Sequence, residues 1–289
     1  MTVPHSRIDQ HIAERFLQQG VHFYHAENIG GFRSHCRSNK LMCRHELLAQ
    51  DPEHAVPFDS DEHDTQNGFE RRVFGNIYDL GAIFERAHEE NGPYIYGPFI
   101  FVFKPEVFGE MEDIVILPES IWTAGKDWAR KRISTESQVD ELLRSTRFDD
   151  NIHHNWQYAE ISCSNSSIPF KYLSKIIVEP LDFWSPSGKV YTLEYIAKWQ
   201  LEQCEIKGVP VEVRNYRPSK IRAKQALEEM AKFCRDLPQT VTMQDWRISV
   251  SDLPASLDYL SDKTKKRLIQ WAKYYTFGTV RAVSTKSPA

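Results

Sequence analysis

The chain has 289 residues, a formal net charge of −4, 41% hydrophobic and 26% charged residues, which is the make-up of one large globular domain or two small ones. No stretch approaches the roughly 20 consecutive apolar residues that span a bilayer, and a slightly acidic total argues against a global field for nucleic acid or membrane. The charge is uneven, with 18 Lys and Arg against 29 Asp and Glu through residue 185, about −11, and 18 against 11 beyond it, about +7. The first residues, MTVPHSRIDQH, lack the apolar core of a signal peptide. The five cysteines (36, 43, 163, 204 and 234) form no framework of close pairs, so a reducing cytoplasm is the expected home.

In chain order, Ser6-Arg7-Ile8-Asp9 reads as a capping box opening a helix with Ile8, Ile12 and Phe16 on its buried stripe and Gly20 at its end. Val21 to His25 follows as a short aromatic strand, with Val21, Phe23 and His25 on one face. A single histidine carries no motif, so His25 alone reads as structural before it reads as a ligand or catalyst. Asn28-Ile29-Gly30-Gly31 turns the chain into a short helix. His35-Cys36 and Cys43-Arg44-His45 hold zinc-type ligands, but Cys-x6-Cys is not a usual zinc spacing, and no metal is expected.

Residues 51 to 68 are polar and acidic and read as a long surface loop. Phe69 to Phe74 places Glu70, Arg71 and Arg72 between aromatics, either a surface ion-pair site or an arginine at a pocket mouth. Asn76 is expected to cap a helix from Ile77 to Glu90 with Ile77, Leu80, Ile83 and Phe84 buried. Tyr94 to Phe103 is the most β-prone run and a central-strand candidate, ended by Lys104-Pro105. Asp113 to Leu117 is another strand, and a helix is expected near Glu136 to Ser145.

The run His154 to Pro180 carries the most chemistry. Alternation puts Tyr158, Glu160 and Ser162 on one strand face and Gln157, Ala159, Ile161 and Cys163 on the other, mostly apolar one. Glu160 would thus be a lone acid on a rigid sheet, suited to catalysis or simply solvated. Ser164 to Ser167 breaks the strand, and a second β-rich run follows at Ile176-Ile177-Val178, in a strand over 173 to 178. Pro180 to Ser187 reads as a boundary. Beyond it the pattern is helical over Lys189 to Cys204, Ile221 to Leu237 and Asp262 to Tyr275, with a short strand at Val209 to Val213. Basic residues gather at Arg214, Arg217, Lys220, Arg222 and Lys224, and at Lys263, Lys265, Lys266 and Arg267 just before Trp271, Tyr274 and Tyr275. Such clusters suit phosphates and stacked bases, or are solvated helix faces.

Three of these pieces, in order, resemble the DarT-like family of DNA ADP-ribosyltransferase toxins. They are Phe23-Tyr24-His25 with Asn28-Ile29 and Lys40-Leu41-Met42 behind; Glu70-Arg71-Arg72 ahead of Tyr96-Gly97-Pro98-Phe99-Ile100-Phe101; and Gln157-Tyr158-Ala159-Glu160 with Pro169-Phe170 and Ile176-Ile177-Val178. The match covers roughly residues 20 to 180. The sequence departs from the family at Lys104-Pro105-Glu106, where Pro-Arg-Ser-Pro is usual, and at Glu27, where a hydroxyl residue is usual; a whole extra helix separates the Arg-Arg element from the aromatic strand.

The resemblance implies an α+β fold, a split and mostly antiparallel sheet with flanking helices and a helical C-terminal extension. It implies a catalytic domain over 1–185 and an extension over 186–289 that binds nucleic acid or a partner. It implies NAD as co-substrate and transfer of ADP-ribose to a nucleobase of single-stranded DNA or RNA, in an intracellular toxin of a toxin–antitoxin or phage-defence system with a separately encoded antitoxin. Glu160 and Arg72 would be catalytic; Tyr24, His25, Glu27 and Asn28 would contact NAD; Arg71, Lys104, Arg217, Lys220 and Arg222 would contact nucleic acid. The alternatives are a protein mono-ADP-ribosyltransferase, an NAD hydrolase, or a non-catalytic nucleic-acid-binding protein. No Rossmann glycine fingerprint is present, so an NAD site here is not a dehydrogenase site.

Overall fold

The computed structural model describes residues 6–51, 65, 68–82, 97–119, 124–145, 159–184, 189–216, 221–238, 240–241 and 245–277. The expected loop over 51–68, the helix beyond 82, the strand residues 94–96, residues 157 and 158, the boundary residues 185–187 and the C-terminal tail lie wholly or largely outside them.

The fold is mixed α/β around a seven-stranded sheet in the order β11-β8-β4-β1-β3-β6-β5. In chain order these strands are β1 (Phe23–Glu27), β3 (Val73–Asn76), β4 (Phe99–Phe103), β5 (Val115–Leu117), β6 (Glu160–Cys163), β8 (Leu173–Val178) and β11 (Val211–Val213). All neighbours are antiparallel except β11, which runs parallel to β8. Two small ladders join β2 (Lys40–Met42) to β7 (Ser167–Pro169), and β9 (Asp182–Trp184) to β10 (Val190–Thr192).

β4 explains why its sequence is apolar without alternation. Phe99, Phe101 and Phe103 point into the main core, while Ile100 and Val102 join Ala26 and Ile177 in a smaller cluster on the other face. A strand buried on both sides needs no polar face. The main-core side is aromatic: Phe32 stacks on Phe99 at 4.4 Å between ring centroids, and Phe101 lies 5.3 Å from Phe170. Five such buried phenylalanines on three elements bind helix α2 (Ile29–Ser38) and the β7–β8 connection to the sheet.

Helix α1 (Arg7–Gln19) starts with the expected capping box: the Asp9 amide donates to Ser6 Oγ at 3.2 Å and the Ser6 amide to Asp9 Oδ2 at 3.3 Å. Such a cap is worth about 1 kcal/mol. The other oxygen of the buried Asp9 accepts from the Ile114 amide at 2.9 Å, so the same carboxylate fastens the helix to the approach of β5. Gly20 closes the helix at φ 64°, a left-handed backbone that favours glycine. Short α3 (Arg44–Gln50) and α4 (Trp128–Lys131) and the longer α5 (Glu136–Ser145) complete this part of the chain.

Three expectations are corrected. Asn76 is the last residue of β3, and the cap of the following helical residues 80–82 is Asp79, whose Oδ1 accepts from the Ala82 amide at 3.1 Å. Lys189 to Cys204 is not one helix: 190–192 form β10, and α6 (Leu193–Gln203) starts only after Thr192, whose hydroxyl accepts from the Tyr195 amide at 3.1 Å. Trp271 and Tyr275 are not a surface for stacking bases. They sit at i and i+4 on the inner face of α8 (Asp262–Tyr275), buried and stacked on each other at 4.7 Å. Helix α7 (Ile221–Asp236) supplies Ala226, Leu227, Met230 and Cys234 to the same core.

No helix among the described residues is long and apolar enough to cross a membrane.

Candidate active site

Register decides which side chains can meet, because residues paired across a ladder point to the same side of the sheet. Leu117 pairs with Glu160, Glu160 with Asn76, Asn76 with Tyr24, and Tyr24 with Val102. One row across the sheet therefore carries Glu160, Asn76 and Tyr24 together. Glu160 opens β6 and is half-buried, between the buried Ala159 and Ile161. The Asn76 amide Nδ2 donates to the Ala159 carbonyl at 3.1 Å, which ties β3 to the residue preceding Glu160. Tyr24 is half-buried; burial pushes its phenol up to about 12, with Asp79 acting in the same direction and Arg214 against it.

His25, Glu27 and Asn28 lie on the other side. His25 faces Phe101 and His35 beneath α2, with ring centroids 6.3 and 5.9 Å away. β1 and β3 share a single paired position, Tyr24 with Asn76. The His25 ring occupies the place where they part: its Nδ1 lies 2.7 Å from the Phe74 carbonyl, and since a carbonyl only accepts, Nδ1 carries a proton. His35 has the opposite arrangement. The Met42 amide donates to its Nδ1 at 3.2 Å, so its proton is on Nε2, which points at Glu27 Oε2 at 3.3 Å. Glu27 Oε1 accepts from the Asn28 amide at 2.7 Å, and Asn28 Oδ1 caps α2 by accepting from the Gly31 amide at 3.0 Å. Burial disfavours the Glu27 charge, but the facing His25 and His35 rings, with the His35 Nε2–H donating to it, outweigh burial and bring its carboxyl down to about 2. Burial lowers His35, with Glu27 opposing.

His25, Glu27 and His35 offer ligand atoms within 4.8 Å of one another, a spacing that would accommodate a small divalent ion. The hydrogen bonds do not suit one. The His35 nitrogen that would have to ligate is the one that holds the proton, fixed there by the Met42 amide. The group is built around a carboxylate receiving N–H donors, with Gly31 leaving room for it: a Cβ at Gly31 would lie 2.3 Å from the Glu27 carboxyl carbon.

Arg72 shares the Glu160 side but is committed to the fold. Its Nε donates to Ser162 Oγ at 3.1 Å and its Nη1 to Asp113 Oδ2 at 2.6 Å, while Nη2 reaches the Asp113 and Ser162 carbonyls. It joins β3 and β6 to the turn before β5, where Asp113 adopts φ 47°. Arg71 is exposed, 3.7 Å from Glu70. Lys104 is exposed at the end of β4, its amide bonded to the Tyr172 carbonyl at 2.8 Å. Arg217 and Lys220 lie outside the described residues, and Arg222 is in the first turn of α7. The structure thus brings Tyr24 and Arg72 to the Glu160 side and separates His25, Glu27 and Asn28 from it.

Two features were not visible in the sequence. Asn76 read as a helix cap, and only the ladder reveals it as the neighbour of Glu160. Arg214 read as one of a basic surface cluster, yet it is buried among Asp79, Glu179 and Tyr216.

No family model matches the chain, and no curated protein sequence matches it. Among solved structures, DarT of Thermus sp. 2.9 aligns in three states. In complex with ADP-ribosylated ssDNA it gives a TM-score of 0.44 at 10% identity, over 67% of this chain and 94% of that one. In complex with NAD+ it gives 0.40 at 11%, over 67% and 95%, and in complex with carba-NAD+ 0.40 at 12%, over 67% and 95%. A likeness at these values assigns no role to any residue of this chain.

Proposed function

We propose that the protein transfers ADP-ribose from NAD to a nucleobase of single-stranded DNA or RNA, with Glu160 as the central catalytic group. The observation that carries the reading is the Glu160–Asn76–Tyr24 row: a half-buried carboxylate at the head of a strand, held in register beside an amide and a phenol. The reaction breaks the bond between nicotinamide and C1 of the ribose, and nicotinamide leaves with the bonding electrons. The ribose becomes electron-poor. A fixed carboxylate beside it accepts a hydrogen bond from a ribose hydroxyl and stabilises the developing positive charge, a term of about 3–4 kcal/mol. A base nitrogen then bonds to C1, and its proton passes to the Glu160 carboxylate or to water. A base inside a duplex is shielded from such an approach, which favours unpaired strands.

In this reading residues 1–185 carry the reactive groups and 186–289 support them. His25, Glu27 and Asn28 hold β1 and the start of α2 from the far side. Tyr24 is the residue of that strand that faces the substrate. The activity is toxic inside a cell, so the reading includes an intracellular toxin with a separate antitoxin as partner.

The test is incubation of wild type and Glu160→Gln with labelled NAD and, separately, single-stranded DNA, RNA and bulk protein. Label moving to one nucleic acid, and lost in the variant, supports the reading. Label on protein points to a protein acceptor instead. Free ADP-ribose without labelled acceptor points to an NAD hydrolase. Intact NAD throughout overturns catalysis.

A further inference from the structure

The segment after β11 enters the sheet core and closes a charged network beside Tyr24. The Arg214 amide continues the β11–β8 ladder by donating to the Val178 carbonyl at 2.9 Å, which fixes where its side chain starts. Its guanidinium then grips Asp79 in a fork, Nη1 to Oδ2 at 2.9 Å and Nη2 to Oδ1 at 2.8 Å, and gives Nε to Glu179 Oε1 at 2.7 Å. Tyr216 donates its hydroxyl to the other Glu179 oxygen at 2.9 Å. The three charged side chains are 6%, 15% and 8% exposed, so this is a buried network rather than a surface pair. Burial works against the Arg214 charge, but Glu179 and Asp79 outweigh it and hold the guanidinium protonated.

Asp79 has two tasks. It accepts from Arg214, and it caps the helical residues 80–82 through the Ala82 amide. Gly81 lies against the guanidinium so closely that a Cβ there would sit 2.3 Å from Nη2. Asp79 follows Asn76 by three residues, and Tyr24 lies in the field of both Asp79 and Arg214. One arginine from the C-terminal segment therefore seats the chain leaving β3, next to the row that carries Glu160.

We infer that Arg214 is a positioning residue: through its fork on Asp79 it sets the start of the helix after β3, and with it the alignment of Tyr24 and Asn76 beside Glu160. The C-terminal segment thereby completes the candidate site instead of hanging from it. The consequence for catalysis rests on the proposed function; the coupling of Arg214 to Tyr24 does not.

Truncating Arg214 to Ala would leave two buried carboxylates facing each other and is expected to unfold the chain. Arg214→Lys keeps the charge and loses the fork. Gly81→Ala keeps every charge and pushes the guanidinium aside; helix propensity alone would make it stabilising. Both variants are made in the full chain labelled with 3-fluorotyrosine, and the Tyr24 resonance is assigned by its loss in Tyr24→Phe. The expected result is a displaced Tyr24 resonance in both variants with a folded circular-dichroism spectrum. In NAD turnover, kcat falls about tenfold or more while KM stays near wild type, because orientation and not binding is lost. An unmoved Tyr24 resonance in both variants overturns the inference. So does a wild-type kcat in both, because a merely structural arginine would lower the unfolding midpoint and leave turnover unchanged. If wild type turns over no NAD but the Tyr24 resonance moves, the proposed function fails and the coupling stands.

Discussion

Asn76 stands opposite Glu160 across the β3–β6 ladder, and its amide reaches past the pair to the Ala159 carbonyl at 3.1 Å. The amide thus bonds to the backbone unit whose other side leads into the catalytic candidate. Ala159 is buried, so this bond serves a residue shielded from water. Asn76→Ala should destabilise the protein by about 1–2 kcal/mol, the cost of an unsatisfied buried acceptor. It should also lower turnover more than Ser164→Ala, whose side chain lies outside the row. Denaturant titration and NAD kinetics on the two variants check both parts.

Glu160 is half-buried at a strand start, so its loss should affect chemistry more than folding. Glu160→Gln is expected to leave the unfolding midpoint near wild type and to reduce ADP-ribosyl transfer by about a hundredfold to a thousandfold, the usual effect of removing one well-placed electrostatic group. Equal losses of stability and activity would place the carboxylate in the scaffold.

The Glu27 cluster should appear in the acid limb of stability. The Glu27 carboxyl is lowered to about 2 from an ordinary 4.5. The folded state therefore prefers the charged form. Its contribution, about 3 kcal/mol, is present above pH 4.5 and is lost as pH falls toward about 2. His35 has its pKa lowered by burial, so the folded state prefers it neutral, and stability begins to fall as pH drops below the ordinary histidine value of about 6.5. Glu27→Gln should flatten the lower window, and His35→Asn the upper one. Urea midpoints between pH 2 and pH 8 for the three proteins read this directly.

Arg72 binds two strands and a turn through Ser162 and Asp113. Arg72→Lys should therefore cost about 2 kcal/mol of stability, because a single ammonium cannot reproduce the fork. Asp113→Asn, which keeps the shape and weakens one of those contacts, should cost less. Paired denaturation curves would show whether the two effects overlap, as they must if the residues act together.

The elements that were legible in the sequence are those decided within a few residues. The capping box at Ser6 and Asp9, the glycine stop at Gly20, the uniformly apolar β4 and the stripes of α5, α7 and α8 follow from local chemistry and periodicity. Glu160 also stood out locally, as a charge in an alternating strand. What only the tertiary structure decided is partnership. Asn76 next to Gly75 looks like a cap until a neighbouring strand claims it. Tyr24 and His25 look like one motif, but a strand sends adjacent side chains to opposite faces: the ladders put Tyr24 in the row of Asn76 and Glu160, while His25 shares the other face of β1 with Glu27. Arg214 and Trp271 carry the same side chains whether they meet solvent or core. Their burial depends on β11 pairing with β8 and on α8 packing inward, contacts between residues far apart in the chain that no local pattern encodes.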